Sequence, residues 1–347
     1  MTEKRTVASI PCIADIDAQE RDFRQCLNDF LVAASTWHIV ERTCHGSTCR
    51  FTTLQGGVVV SRFAMSDRLK VLLQYMLPKQ RLTTVAGRIA GAQGGAMTTR
   101  LIRWFVGRYA VDMSEAADAD IGSYKSFNDF FTRPLRAGLR PIAAADFVCP
   151  VDGAISQFGA IDDHHMLQAK GHRFTTTELV GGDETLAAPF RHGSFANLYL
   201  SPKDYHRLHM PCDGRLVRMI YVPGKLFSVN PVTARGVPNL FARNERVVCV
   251  FESAQHGPFV MVLVGATIVG SMATVWHGVV NPKRTNTTSE WRYADQDIVL
   301  KKGEEMGRFL LGSTIVMLFR PGAITFTKDW APERKVRLGE PMGDRAA

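Results

Sequence analysis

From about residue 146 onward, short runs of β-forming residues recur between turn signals, and no other feature of the chain limits its fold as strongly. The runs are 147–151, 154–158, 194–200, 216–222, 246–251, 259–264, 267–275 and 313–319. Asp-Gly, Pro-Gly and Asn-Pro pairs punctuate them, as expected where a chain must reverse between strands. This texture predicts a mainly antiparallel, β-sandwich-like core. Helical periodicity precedes it, so the expected class is α+β, with N-terminal amphipathic helices followed by the β-rich domain. No Gly-x-Gly-x-x-Gly or P-loop pattern occurs, so nucleotide-cofactor chemistry has no local support.

Residues 65–111 have a different character. Leu69, Leu72, Leu73 and Met76 recur at helical spacing after Ser66, a suitable N-cap. The stretch 101–111 interleaves Ile102, Trp104, Phe105 and Tyr109 with Arg103 and Arg108. Between 65 and 111 there are eight basic residues and one acid, Asp67, so the segment carries 8 − 1 = +7 of the chain's formal +9. Basic, aromatic-bearing amphipathic helices fit an anionic bilayer surface. Docking of the same apolar faces onto the protein is the alternative. A nucleic-acid partner is not expected, since no motif supports one. No apolar run approaches the roughly 18–20 residues of a spanning helix, and 259–269, the longest candidate, is broken by Gly265 and Thr267. No secretory signal is visible behind the opening Met1-Thr-Glu-Lys-Arg5.

The first 64 residues carry no chemical motif. A helix over 15–32 and a strand over 51–60 are expected there, in an extension of unknown role or one placed by an upstream start site, with Met65 as the working start. Seven cysteines stand at 12, 26, 44, 49, 149, 212 and 249 without a Cys-x-x-Cys pair, which favours reduced thiols over a zinc ribbon.

Three constellations in the β region carry candidate chemistry. Asp152-Gly153 lies between apolar flanks. Such a pair is commonly a hairpin turn, or it presents a carboxylate that orients an imidazole. In Ser201-Pro-Lys-Asp-Tyr-His206-Arg-Leu-His209-Met-Pro-Cys212, the two histidines at i, i+3 suit one face of a helical turn. General acid–base work, a His-x-x-His-x-x-Cys metal site and a purely structural role all remain open on spacing alone. In Gly307-Arg-Phe-Leu-Leu-Gly312-Ser313-Thr314, a small turn enters an apolar strand. Ser313 is there either as a turn residue or as a nucleophile served by a nearby base.

Several of these segments together resemble the phosphatidylserine decarboxylase family, in its bacterial, membrane-associated form. The matching motifs are Phe127-Asn-Asp-Phe-Phe-Thr-Arg-Pro-Leu-Arg136, Val151-Asp-Gly153, Leu167-Gln-Ala-Lys-Gly-His172, Tyr205-His-Arg-Leu-His209, Pro238-Asn-Leu-Phe-Ala-Arg-Asn-Glu-Arg246 and Leu311-Gly-Ser-Thr314. They occur in the family's order, and the resemblance spans about 66–340.

The resemblance implies a self-processing enzyme. Ser313 attacks the Gly312 carbonyl, the peptide bond becomes an ester, and β-elimination divides the chain into a β chain (1–312) and an α chain (313–347) that remain associated. Residue 313 becomes a pyruvoyl group, which forms a Schiff base with the substrate amine. His209 is implied as the base of processing, Asp152 as its orienting carboxylate and His206 as the proton donor in decarboxylation. No metal is implied. The implied reaction takes phosphatidylserine to phosphatidylethanolamine and CO2 in phospholipid biosynthesis, at the cytoplasmic face of the cell membrane, by a peripheral homodimer. The implied organisation is an extension (1–64), a basic membrane-associating helical region (65–125) and a catalytic domain (126–340). A Ser–His–Asp lipid hydrolase is the enzymatic alternative, although no Gly-x-Ser-x-Gly elbow surrounds Ser313. A non-catalytic phospholipid-binding protein is the other.

Overall fold

Among the described residues thirteen strands of the β region pair into two sheets that lie against each other, and every strand pairing within them is antiparallel. A computed structural model describes residues 67–169, 171–267, 271–281, 285–310 and 313–346. The expectations for the first 64 residues, the Ser66 cap and Gly312 fall outside that set.

In the large sheet the strands run side by side in the order 289–292, 214–222, 246–253, 257–264, 314–319, 194–199, 153–160 and 335–336, with 299–300 also paired to 214–222. A smaller sheet runs in the order 278–279, 272–274, 305–309 and 207–209. The expected strand over 267–275 is reduced to Met272–Thr274, and it belongs to this smaller sheet.

Strand alternation explains how the core divides. Met261, Leu263, Ile315, Met317 and Phe319 pack on one face with Leu208, Met272, Met306 and Phe309 of the small sheet. Val260, Val262, Val316 and Leu318 face the other way, onto Met166, Phe174, Leu179, Leu240 and Phe241. Short helices and a hairpin therefore cover the second face. Thr314–Phe319 is covered on both faces and buried at every position, so it reads as an unbroken apolar run rather than an alternating one.

The N-terminal helices are Asp67–Met76, Lys79–Gly91 and Ala96–Tyr109. The last two bury Ala90, Ile102 and Phe105 against Phe127, Phe130 and Phe131. The short helix Phe127–Phe131 is started by a capping box, in which Ser126 and Asp129 each bond the other's backbone N–H. The first helix docks separately: Gln74 accepts from Ser228 N at 3.1 Å, and Tyr75 meets Phe227 edge-on at 5.1 Å.

One register row positions the site. Ala154, Tyr199, Thr314, Val264, Arg246 and Val222 are successive partners across the sheet. Asp152, Leu200, Ser313, Gly265, Glu245 and Pro223 therefore all lie at one end of it.

Candidate active site

Ser313 stands at the start of the central strand and is 1 % exposed. Its hydroxyl donates to the carbonyl of Val264 on one neighbouring strand. Its own carbonyl accepts from Leu200 N, beyond the other, at 2.9 Å. The next side chain, Thr314, is fully buried, and its Oγ1 has no hydrogen-bond partner among the described residues.

Strand Glu305–Phe309 belongs to the small sheet and Thr314–Phe319 to the large one. The carbonyl of His206 accepts from Phe309 N at 3.0 Å, which fixes His206 beside the last residue of the small-sheet strand.

The His206 imidazole is completely buried, with its ring centroid 4.0 Å from that of Phe131. Nδ1 lies 2.7 Å from the carbonyl of Asp204, so Nδ1–H donates and Nε2 keeps the lone pair. Nε2 has no partner among the described residues. Burial depresses the His206 pKa to about 3, the Asp204 carbonyl opposes that, and the nearby Arg133 guanidinium adds to it. The ring is neutral in this state.

His209 lies on the strand Arg207–His209, opposite Glu305. Its Nδ1–H donates to the carbonyl of Gly303 at 2.8 Å, and Nε2 accepts from the Tyr205 hydroxyl at 3.1 Å. Burial lowers its pKa, partly offset by the Gly303 carbonyl. The two histidines do not share a helical face. The backbone from 207 to 209 is extended because Leu208 is buried in the core against the small sheet. An i, i+3 pair in extended backbone points to opposite sides, so the imidazoles have separate partners. Burial pushes the Cys212 thiol up to about 12, which keeps it protonated.

Asp152 is 8 % exposed. It accepts from Arg140 Nε at 3.0 Å and Nη2 at 2.6 Å, and from Leu338 N at 2.9 Å. Arg140 also pairs with Glu115 at 2.6 Å. Asp152 thus spends its hydrogen bonds on Arg140 and Leu338 rather than on His209. It is nevertheless near His209: Pro150 O accepts from His209 N at 2.9 Å, and the Asp152 charge raises the His209 pKa. Gly153 is not a hairpin turn here. It opens a strand, where a Cβ would lie 2.4 Å from the Tyr199 carbonyl, so only glycine permits the approach.

The structure therefore places Ser313 between Leu200 and Val264, His206 against Phe309 and Phe131, and Asp152 near His209. Ser313 Oγ bonds Val264 and not an imidazole. Four participants had no separate sequence signal: Tyr205 on His209, Arg140 and Glu115 on Asp152, and Phe131 under His206. Asp204 joins them: burial raises its carboxyl pKa, while its side chain accepts from Ser201 N at 2.7 Å.

Comparison with known proteins bears on the whole arrangement. A family model described as phosphatidylserine decarboxylase matches residues 127–344, and one described as PSD matches 69–110. A phosphatidylserine decarboxylase proenzyme of Variovorax paradoxus (strain S110) is 72 % identical over 282 residues, which is 81 % of this chain and 99 % of that protein. Proteins of the same description from Azoarcus sp. (strain BH72) and Dechloromonas aromatica (strain RCB) are 70 % and 67 % identical. They too cover 81 % of this chain, and 97 % and 100 % of their own lengths match.

Proposed function

The chain belongs to the phosphatidylserine decarboxylase family, and from that premise we propose which of its residues perform the family's reaction. The protein is a carboxy-lyase made as a proenzyme, converting phosphatidylserine to phosphatidylethanolamine and CO2. The hydrolase and lipid-binding alternatives are not favoured, since the relatives are decarboxylase proenzymes.

The observation that carries the assignment is the burial of Ser313 at a sheet end with its carbonyl held by Leu200 N. In the proposed processing step, Ser313 Oγ attacks the Gly312 carbonyl carbon. The C–N bond breaks as the C–O bond forms, and the hydroxyl proton passes to a base. His209 suits that base, because Gly303 fixes Nδ1 as the protonated nitrogen and leaves Nε2 basic. Tyr205 holds Nε2 in the unreacted state. Asp152 contributes its negative charge nearby, which favours the imidazolium. Elimination then removes the Cα proton of residue 313, frees the Gly312 carboxylate and leaves a dehydroalanine, whose imine tautomer would add water and release ammonia.

The pyruvoyl group proposed to result would act as an electron sink for the carbanion left when CO2 departs. Two side-chain atoms suit such a group: among the described residues His206 Nε2 and Thr314 Oγ1, the latter next to residue 313 in the chain, are buried without hydrogen-bond partners, so each can serve a newly formed carbonyl or a bound carboxylate. We assign the proton delivered to carbon to His206 Nε2. The ring is neutral before substrate arrives, and a carboxylate entering this dry site raises its pKa toward protonation. Phe131, packed on the ring, helps to exclude water.

Cleavage need not release the α chain. Its strand 314–319 pairs with both 194–199 and 257–264 in mid-sheet, so the two chains are expected to stay together. Residues 65–125 are proposed as the membrane-associating layer: Leu72, Met76, Val85, Ile89, Met97 and Trp104 remain exposed there among the basic side chains. Among the described residues no helix is long and apolar enough to cross a membrane, so the attachment is proposed to be peripheral.

Intact mass of the purified protein tests this assignment. The expected result is two fragments divided at 312/313, the smaller lighter than a serine-started peptide by one ammonia. A division elsewhere, or a small fragment retaining its serine, overturns it.

A further inference from the structure

Between the helix Lys79–Gly91 and the end of the large sheet lies a cavity of about 580 Å³ lined by Gln80, Pro223, Gly224, Lys225, Arg243 and Asn286. An adjoining cavity adds Arg81 and the carboxylate of Glu245. Lys79 Nζ sits 4.4 Å from the centroid of the Phe227 ring, and the Arg243 guanidinium lies 5.2 Å from the same ring. Among the described residues neither these two cations nor Lys225 forms a salt bridge with a carboxylate. Their mutual repulsion is real: burial, then Lys225, then Arg243 depress the Lys79 pKa. Three cations gathered next to a cavity, none of them in a salt bridge among the described residues, suit an anion from outside.

Two further facts identify its source. Exposed apolar residues of the N-terminal helices adjoin it: Val85 lines the adjoining cavity, and Tyr75 lies against Phe227 and the Arg243 guanidinium. Charged headgroups held beside inserted apolar side chains are what a bilayer surface supplies. The second fact is distance. Val222 is separated from Thr314 by three strand spacings, through Arg246 and Val264, which is roughly 14 Å. A phosphoserine headgroup spans only four bonds from phosphorus to amine nitrogen, on the order of 5 Å. A phosphate held beside Pro223 and Gly224 therefore belongs to a different lipid molecule from the one whose amine reacts at residue 313.

We propose that Lys79, Lys225 and Arg243 form a second headgroup site, which takes the phosphate of a non-substrate anionic phospholipid and seats the enzyme on the bilayer. The proposal rests on the reading of residues 65–125 as a membrane-facing layer.

The test compares the full-length processed protein with the double variant Lys225→Gln/Arg243→Gln and the charge-keeping variant Lys225→Arg/Arg243→Lys. The probes are phosphatidylcholine vesicles with and without phosphatidylglycerol. The wild type is expected to prefer the phosphatidylglycerol vesicles, and its failure to do so overturns the membrane-layer reading itself. With that preference present, the glutamine variant should bind them roughly thirtyfold more weakly, and the charge-keeping variant should bind as wild type does. Turnover of dispersed short-chain phosphatidylserine should be the same in all three. Undiminished vesicle binding by the glutamine variant overturns the proposal. So does a parallel fall in turnover of the dispersed substrate, which would make the cluster the grip on the substrate's own phosphate. Inorganic phosphate alone separates the remaining source: protection of the wild type against thermal unfolding, absent in the glutamine variant and with vesicle binding equal, would assign the site to a soluble phosphate.

Discussion

The helices of 67–109 and the central strand of the large sheet are both rich in large apolar residues, yet they use them in opposite ways. Every residue of Thr314–Phe319 is buried. Of the twelve large hydrophobic side chains left exposed among the described residues, seven lie between Leu72 and Trp104. A strand in mid-sheet has two faces to cover and both are covered. A helix packed on one side of a small cluster buries one stripe and leaves the rest to another surface. The contrast teaches that apolar content alone does not mark a core: what matters is whether the fold itself supplies the second covering layer.

The hardest test of the contrast is at Ser313, the residue just before the strand. Ser313→Ala should leave one uncut chain of full-length mass and no detectable decarboxylation, because the attacking oxygen is gone while the fold keeps its packing. His206→Ala follows: cleavage should continue, read by gel, while turnover of phosphatidylserine falls by about a hundredfold or more. Loss of cleavage as well would mean that His206 serves processing too.

Packing separates the two regions next. Met317→Ala, at a position with no exposure, should cost about 3 kcal/mol in denaturant unfolding. Leu72→Ser, at 55 % exposure, should change stability by less than about 0.5 kcal/mol and reduce vesicle binding instead. A large stability loss from Leu72→Ser would show that the helix face is core after all.

The smallest effect is in pH. His206 has a folded pKa depressed to about 3, below its unfolded value of about 6.5. Between those limits the unfolded chain binds a proton that the native state refuses. Stability attributable to this ring is therefore complete above pH 6.5 or so and is lost as pH falls toward 3, by up to about 1.4 kcal/mol per pH unit. His209, also depressed by burial, acts in the same direction. His206→Phe should flatten this part of the unfolding profile.

Local features carried far. Each predicted β-run contains a strand, since alternating or continuous apolar runs between turn pairs have few other ways to bury themselves. The charge asymmetry of 65–111 was countable without coordinates. The i, i+3 spacing of His206 and His209 misled, because a helical turn and an extended segment give that spacing opposite meanings. Burial of Leu208 against the small sheet decides between them. Arg140 was invisible for a different reason: an arginine becomes the partner of Asp152, twelve positions on, only when the chain between them folds back.

By itself the sequence determined the class of fold, the basic amphipathic layer and the chemical identities of Asp152, His206, His209 and Ser313. These depend on residue type and short-range period, which the chain carries wherever it is. Only the tertiary structure decided which nitrogen of each imidazole is basic, that Asp152 answers to Arg140, and that three distant cations meet around one cavity. Such properties are set by contacts across tens or hundreds of residues and by exclusion of water, and neither exists until the layers close.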